Sequence, residues 1–274
     1  MLAKVVTVAQ RWRESMLVST LLQGPKVFSL PSWLRLLELQ KLGSLRGARG
    51  GTVALTVRSW KGQPLHVRPL GTDWETVHAS LIGGYHRPPP ELTPVATILD
   101  LGANIGVTVA DFADRYPEAR ILGVELDADN VALAQRNTAA WRGRAEILQG
   151  AAWSQDGEIA YGGDRGEWAY RVGPAMDERT TAQIIARVPA FSMGTLIERL
   201  APGGTVDYVK MDIEGAERFV LAAEADGEWA RRVRCIEVDV HLPLSVEDCR
   251  ASLEALGFRT VPDPSGIASV TGYR

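Results

Sequence analysis

Apolar strands alternate with helices along the chain from residue 97, and this alternation restricts its fold more than any other feature. Strands are predicted at Ile98–Leu101, Arg120–Glu125, Ala145–Gly150, Val206–Ile213, Val233–Val238, Phe258–Val261 and Ile267–Tyr273. Helices are predicted at Val107–Tyr116, Ala128–Trp141, Ser192–Leu200, Gly215–Ala225 and Ser245–Leu256. This order favours an α/β fold, a Rossmann-like doubly wound, mostly parallel sheet with helices on both faces. Residues 154–190 show no strong periodicity and are predicted to form a long excursion.

The first 50 residues differ in character from the rest of the chain. They carry eight Lys/Arg and two Glu, whereas the whole chain has a net charge of −3. Apolar spacings of three and four predict an amphipathic helix over residues 2–22, followed by a second helix over Pro31–Leu42 and a loop over Gly43–Gly51. Residues 1–50 are therefore predicted to be an N-terminal helical cap or lid, and residues 51–274 the α/β domain. Within that domain, a strand pair (Thr52–Val57 and Pro64–Arg68) and a helix (Trp74–Ile82) precede the alternating region.

Composition excludes several classes of protein. With 274 residues, 46% hydrophobic and 23% charged, the chain is of ordinary globular composition rather than disordered or fibrous. A net charge of −3 argues against nucleic-acid binding, which needs a basic surface. Cys235 and Cys249 fit no metal or redox spacing, which favours free thiols in the cytoplasm. No apolar run reaches the roughly 20 residues of a membrane helix, and the N-terminus does not read as a signal peptide.

The loop after the first alternating strand is the main candidate for ligand binding. Asp100 ends that strand, and Gly102, Asn104 and Gly106 follow in a loop of small residues that leads into a helix. Small residues let a ligand approach the backbone, and doubly wound sheets bind ligands at the carboxyl ends of their strands. Glu125 ends the next strand, where an acid can accept the ribose hydroxyls of a nucleoside. The alternative is a surface turn and a helix-capping carboxylate.

Dinucleotide binding fits this loop poorly. The G-x-G-x-x-G fingerprint would fall on Gly102, Asn104 and Val107, so its second and third glycines are missing. An NAD-dependent oxidoreductase is kept as an alternative function for a chain with this loop. A second alternative is a binding module without catalytic activity.

Two further groups of polar residues follow later strands. Asp212 and Glu214 come at the end of Val206–Ile213 and are expected to face the reacting centre, whereas Lys210 is expected to be an ion-pair partner of a neighbouring acid. Period-two alternation places Glu237, Asp239 and His241 on one face of a strand. His241 is a candidate general base, Asp212, Glu237 and Asp239 are candidate Mg²⁺ ligands, and a solvated strand end is the third possibility. His86 is a further candidate to line the acceptor cleft.

The motifs D-x-G-A-N-x-G at residue 100 and V-D-Y-x-K-x-D-x-E-G-A-E at residue 206 resemble those of the FkbM family of methyltransferases. The resemblance covers residues of about 65–240 and implies a class I methyltransferase fold. It also implies methyl transfer from S-adenosylmethionine to a hydroxyl of a sugar, polyketide or glycolipid acceptor. The roles that it implies are the following: Asp100, Gly102, Asn104 and Gly106 at the methionine end, Glu125 at the ribose, Ala151 and Trp153 at the adenine, and Asp212 and Glu214 on the acceptor side. FkbM resemblance does not imply Mg²⁺, which is predicted only from the carboxylates. The N-terminal helices are expected to cover the acceptor cleft or to mediate a homo-oligomer.

Overall fold

A computed structural model of the chain describes residues 2–42, 51–162, 171–172, 184–222, 227–262 and 268–274. The chain divides into two compact units, Met1–Tyr85 and His86–Arg274. Most of the predicted loop Gly43–Gly51 and the first residue of the predicted strand Ile267–Tyr273 lie outside the described residues. Among the described residues, no helix combines the length and the apolar character needed to cross a bilayer.

The first unit contains three helices, a strand pair and a π-helical turn. Its elements are α1 (Leu2–Val27), α2 (Leu30–Leu42), β1 (Val53–Thr56), β2 (Pro64–Val67) and α3 (Asp73–Val77). The strands pair antiparallel, as predicted. Helix α1 runs past the predicted end at residue 22, and the amide of Phe28, a fully buried residue, donates to the Gly24 carbonyl at 2.8 Å. The predicted helix Trp74–Ile82 is α-helical only to Val77 and continues as a π-helix over His78–Gly83.

A seven-stranded sheet forms the centre of the second unit. Along the chain its elements begin with β3 (Thr97–Leu101), α4 (Val107–Arg115), β4 (Arg120–Glu125), α5 (Ala128–Asn137) and β5 (Ala145–Gln149). After an insertion they continue with α6 (Met193–Leu200), β10 (Val206–Met211), α7 (Glu217–Val220), β11 (Val233–Asp239), α8 (Val246–Ala255), β12 (Arg259–Pro262) and β13 (Ser269–Tyr273). The strand order is β12-β13-β11-β10-β3-β4-β5. β13 alone runs in the direction opposite to the other six strands. The predicted α/β fold with a mostly parallel sheet is therefore confirmed.

Most side chains of the central strands are apolar and buried, and the buried charges Asp207 and Lys210 of β10 are in ion pairs. Strand β10 is buried along its whole length, and Leu99, Val209 and Ile236 belong to the core cluster that also contains Leu196 of α6 and Leu253 of α8. Ser192 and Ser245 precede α6 and α8 as N-caps, accepting hydrogen bonds from the amides of Thr195 and Asp248. These caps explain why the two helices begin one residue after the predicted positions.

Two predicted elements of the second unit differ from the structure. The excursion over residues 154–190 contains β7 (Gly157–Gly162), β8 (Arg171–Val172) and most of β9 (Ile184–Phe191). With β6 (Ala151–Ala152) these strands form a second sheet in the order β6-β9-β7-β8. The predicted helix Gly215–Ala225 is α-helical over Glu217–Val220, and its predicted last residues lie outside the described part of the chain.

Candidate active site

The candidate site lies where the order of the main sheet reverses, between β3 and β10. From β3 the chain continues to β4 and β5 on one side, whereas β10 and β11 extend the sheet on the other. Gly102, in the loop after β3, has a φ of +81°, and a Cβ there would lie 1.8 Å from the carbonyl oxygen of Asp212. Only glycine allows this approach of two backbones, which joins the loop after β3 to the end of β10.

The backbone of this loop is hydrogen-bonded within the protein. The amides of Gly102 and Ala103 donate to the Val124 carbonyl, both at 3.0 Å, and the Asn104 amide donates to Glu125 Oε2 at 2.8 Å. The Gly106 amide donates to the Ala103 carbonyl. These four amides are therefore already used, whereas a pyrophosphate site needs amides that point at the ligand. This geometry disfavours the dinucleotide alternative.

Asn104 offers a ligand an acceptor from a constrained position. Its Oδ1 is buried and has no hydrogen-bond partner among the described residues, and its φ is +48°. A buried acceptor without a partner is costly, so a ligand that donates a hydrogen bond here would satisfy it. The ammonium group of S-adenosylmethionine brings such donors, and this buried oxygen therefore fits that cofactor.

Glu125 lies at the end of β4 with both carboxylate oxygens bound to backbone amides. Oε2 accepts from Asn104 and Oε1 from Asp127, at 2.8 and 2.9 Å. Burial raises the pKa of Glu125 to about 7, although these amide hydrogen bonds act in the opposite direction. Each carboxylate oxygen can accept a second hydrogen bond. The hydroxyls of a ribose would supply donors that favour the ionised form.

Beneath the loop, Lys210 joins the ends of β3 and β10 by ion pairs. Its Nζ lies 3.1 Å from Asp100 Oδ1 and 3.5 Å from Asp212 Oδ2, and it donates to the Gly102 carbonyl at 2.9 Å. Burial alone would lower the pKa of Lys210, but the charges of Asp100 and Asp212 raise it. Asp100, fully buried, also accepts a hydrogen bond from the Thr108 hydroxyl. The predicted structural role of Lys210 is confirmed, and Asp100 supports the loop from below.

An apolar cluster lies next to Glu125. Ala151, Ala216 and the partly buried Leu126, Ile213 and Trp153 belong to it. The Trp153 ring packs against that of Phe219, with 4.6 Å between the centroids. Ala151 and Trp153, predicted at the adenine, therefore belong to an apolar surface that begins directly after Glu125.

His241 lies among carboxylates at the end of β11. Its Nδ1 is 2.9 Å from Oε1 of Glu217, and its Nε2 is 3.8 Å from Asp212 Oδ1 and 3.7 Å from Glu214 Oε1. Burial alone would lower the pKa of His241, but these three acids raise it to about 10. This raised pKa favours the imidazolium at neutral pH, whereas the sequence predicts His241 to be a general base that titrates near neutrality.

The two carboxylates predicted on the acceptor side have pKa values shifted in opposite directions. Burial raises the pKa of Glu214, and its φ of +55° marks a constrained backbone. Burial would also raise the pKa of Asp212, but Lys210, His86 and His241 lower it. Asp212 and Glu214 thus lie together at the site, with Asp212 the more readily ionised.

His86 lies next to Asp212 in the same cluster. Its Nδ1 lies 3.2 Å from Glu237 Oε1, and the Tyr208 hydroxyl lies 2.8 Å from Glu237 Oε2 and 2.9 Å from the His86 carbonyl oxygen. A ring nitrogen of His86 and one oxygen each of Asp212 and Asp239 lie within 4.8 Å of one another. The φ of His86 is +65°.

The structure does not bring together the predicted Mg²⁺ set of Asp212, Glu237 and Asp239. Both oxygens of Glu237 are engaged by His86 and Tyr208, and the ammonium of Lys210 lies beside Asp212. A buried cation at this position opposes the binding of a second one. The described residues therefore do not support the predicted magnesium site.

Backbone strain marks three of the predicted site residues, and burial identifies two further residues that the sequence did not reveal. Of the four described non-glycine residues with positive φ, His86, Asn104 and Glu214 lie at this site, while Lys61 lies in the β1–β2 turn. Such strain concentrates at functional sites. Tyr208 and Glu217 were not predicted as site residues, and both are fully buried. A polar residue within an apolar strand or at the start of a helix was the available signal.

The sheet order, with one antiparallel strand beside a parallel series, and the glycine loop facing an acid on the next strand define a class I S-adenosylmethionine-dependent methyltransferase fold. The model of the methyltransferase FkbM domain matches residues 100–260, more than half of the chain. The chain therefore belongs to the FkbM methyltransferase family and is an S-adenosylmethionine-dependent methyltransferase.

Solved structures with similar folds include other methyltransferases. An FkbM methyltransferase from Methylobacillus flagellatus is 13% identical with a TM-score of 0.42, covering 88% of this chain and 59% of that one. A Methanococcus jannaschii fibrillarin pre-rRNA processing protein is 15% identical with a TM-score of 0.42, covering 72% and 74%. A precorrin-6y C5,15-methyltransferase from Geobacter metallireducens is 10% identical with a TM-score of 0.37, covering 66% and 80%. No curated protein sequence matches the chain.

Proposed function

We propose that this methyltransferase methylates a hydroxyl oxygen of a small molecule, with a sugar, polyketide or glycolipid as the acceptor class. The observation that carries the proposal is the group of proton-accepting side chains beside the glycine loop, where β10 and β11 end. An alcohol is neutral and must lose a proton when its oxygen is alkylated, so a site for O-methylation needs such groups. His86 and Asp212 can accept a proton, and Asp212 lies in one cluster with Glu214 and His241.

S-adenosylmethionine supplies an electrophilic methyl carbon on a sulfonium. The acceptor oxygen forms the new O–C bond, the S–C bond breaks, the hydroxyl proton passes to the protein and S-adenosylhomocysteine leaves. In this proposal Asn104 and Glu125 hold the cofactor, with Gly102 and Gly106 shaping the loop around it, and Asp212 and Glu214 position the acceptor. Holding the two reactants in line would provide much of the acceleration.

Isotope transfer tests the position of methylation. The full-length protein is incubated with S-adenosylmethionine that carries a trideuterated methyl group and with panels of sugars, hydroxylated polyketides and glycolipids. The expected product carries the label on oxygen, as shown by mass spectrometry and by the chemical shift of the methyl carbon. Glu125→Ala, which removes the proposed ribose contact, is the control and should lose labelling at limiting cofactor. Label found only on nitrogen or carbon would overturn O-methylation.

Calorimetry addresses the two alternative functions. S-adenosylhomocysteine is expected to bind and NAD to give no heat, because four amides of the loop are already bonded within the protein. Binding of NAD would favour an oxidoreductase. Binding of S-adenosylhomocysteine without methylation of any acceptor would favour a non-catalytic module. A cytoplasmic location remains a prediction from the sequence.

A further inference from the structure

The two histidines of the site are held in different ways. His241 has carboxylates near both ring nitrogens, from Glu217 on one side and from Asp212 and Glu214 on the other. These carboxylates favour the protonated ring, which cannot accept a further proton. Among the described residues, the ring of His86 makes one hydrogen bond, from Nδ1 to Glu237, which leaves Nε2 without a partner.

Glu237 is itself fixed by a second donor. The Tyr208 hydroxyl shares its proton between Glu237 Oε2 and the His86 carbonyl, so one phenol contacts both the carboxylate and the backbone of the histidine. Burial and the charge of Glu237 raise the pKa of Tyr208 well above its ordinary value, so the phenol remains a donor. A carboxylate that accepts from Nδ1 fixes the tautomer in which Nε2 is the proton acceptor.

The residues around the His86 ring connect it to the end of β10 and to the cofactor loop. Asp212 and Asp239 lie near the ring, and Asp212 is the residue whose backbone meets Gly102 of the cofactor loop. Burial lowers the pKa of His86, as does the charge of Lys210, whereas Glu237, Asp212 and Asp239 act in the opposite sense, and the net shift is upward. At His86, the positive charge of Lys210 thus partly offsets the acids that favour a protonated ring.

We propose that His86 is the general base, which accepts the proton of the acceptor hydroxyl at Nε2, and that Glu237 and Tyr208 are positioning residues that hold its ring. This assignment rests on the proposed O-methylation. As the O–C bond forms and the S–C bond breaks, the hydroxyl proton moves to Nε2. The resulting imidazolium is stabilised by Glu237 at Nδ1 and later loses its proton to solvent.

Nitrogen NMR of the full-length protein tests the geometry without any acceptor. With ¹⁵N-labelled histidine and saturating S-adenosylhomocysteine, the His86 signals are those lost in His86→Gln. In the neutral ring we expect the proton on Nδ1 and a bare Nε2. Glu237→Gln should shift the His86 titration to lower pH, because it removes the carboxylate that favours the charged ring. Glu91→Gln is the matched control, since the Glu91 carboxylate also accepts from a tyrosine, Tyr273, outside the site.

Kinetics with an acceptor from the isotope panel test the catalytic role. His86→Gln is expected to lower kcat by about 10²–10⁴-fold and to leave the affinity for S-adenosylhomocysteine within about twofold. Glu237→Gln should lower kcat less and move the acid limb of the pH–rate profile to lower pH. Tyr208→Phe should lower kcat and move the acid limb to higher pH, because the Glu237 carboxylate without its phenol donor pairs more strongly with the charged ring. Tyr273→Phe should change neither. A purely structural role of Glu237 would lower activity without moving the profile.

The outcomes separate this inference from the proposed function. If the wild-type protein methylates a hydroxyl and His86→Gln retains its kcat, His86 is not the base although O-methylation stands. A wild-type His86 that carries its proton on Nε2 would also overturn the assignment. If the wild-type protein methylates no hydroxyl of the panel, the proposed function fails, and the tautomer measured by NMR still decides whether Glu237 holds the ring as proposed.

Discussion

At the scale of single residues, Glu125 combines a buried carboxylate with a ligand that favours its ionised form. Burial raises its pKa to about 7, so the group is largely protonated at pH 6 and largely ionised at pH 8. Ribose hydroxyls donate stronger hydrogen bonds to the ionised carboxylate than to the protonated acid. We therefore expect the affinity for S-adenosylhomocysteine to rise by up to about tenfold between pH 6 and pH 8, as isothermal titration calorimetry would show.

The matched variant for this prediction is Glu125→Gln, which keeps the shape of the side chain and removes its titration. It should bind more weakly at pH 8, and any remaining pH dependence reports other groups. Equal pH dependence in the variant and the wild-type protein would exclude Glu125 as its source. The same raised pKa reduces stability as pH rises from about 4.5 through 7, because the unfolded chain ionises this group more easily.

Gly102 allows the two costs of replacing a glycine to be measured separately. Gly102→Ala combines a φ of +81° with a Cβ 1.8 Å from the Asp212 carbonyl oxygen. Gly203→Ala has a similar φ, +64°, but its Cβ would meet nothing within 4 Å. In denaturant unfolding, we expect Gly203→Ala to lower the free energy of unfolding by about 1–2 kcal/mol from backbone strain alone, and Gly102→Ala to lower it by more. Calorimetry should show that Gly102→Ala also weakens the binding of S-adenosylhomocysteine. Equal losses would mean that the loop moves away from β10 at little cost.

At the scale of elements, the sequence predicted the strands and helices of the main sheet better than those of the insertion. The predicted bounds of β3, β4, β10 and β11 lie within one or two residues of the observed ones, because apolar residues predominate in these strands. In the insertion, Val188 and Ala190 are buried and alternate with exposed Arg187 and Pro189, so a period of two was present in β9. Glycine and proline around it concealed that alternation, because both usually mark loops.

The candidate site was predicted only in part, for a physical reason. The glycine loop and Glu125 belong to neighbouring elements with fixed spacing, so their proximity could be inferred. The contact of His86 with Glu237 joins residues 151 positions apart, and no periodicity encodes such a contact. The pKa of His241 likewise depends on three acids that the fold gathers around it, one of them contributed by α7.

Asp207 joins three strands of the sheet at their amino ends. Its carboxylate accepts from the amides of Ala96 and Thr97, before and in β3, and pairs with Arg234 of β11 at 2.7 Å. Burial alone would raise the pKa of Asp207, but these hydrogen bonds lower it. We expect Asp207→Ala to lower the free energy of unfolding by about 2–4 kcal/mol at pH 7.

Urea unfolding at several pH values checks this prediction and its sign. Because the pKa of Asp207 is lower in the folded protein, its contribution is present above the ordinary value of 3.8 and is lost as pH falls through the folded value. The difference between the variant and the wild-type protein should therefore shrink in acid. Glu118→Ala, on an exposed residue, is the control and should change stability little at any pH. A difference that does not change with pH would show that packing, rather than the charge, is lost.

At the scale of the whole molecule, the first unit presents apolar side chains to solvent. Large hydrophobic residues on α1 and α2 are between 38% and 66% exposed, namely Leu17, Val18, Leu21, Leu22, Leu30 and Leu34. Those of α1 recur four residues apart, so they share one side of the helix. Exposed apolar patches of this kind mark interaction sites. This is the surface through which the predicted homo-oligomer would form.

The double variant Val18→Asp and Leu22→Asp tests that oligomer. Both side chains are more than half exposed, so the fold should remain, as circular dichroism and thermal unfolding would show. If α1 forms the contact between subunits, four charges introduced across a two-fold interface should convert a dimer to a monomer in light scattering, because burying unpaired charges is costly. Gln23→Asp adds a charge at an exposed position on another side of the same helix and controls for charge alone. A wild-type protein that is already monomeric, or a dimer that survives both aspartates, would contradict the prediction and leave this apolar surface to a different partner.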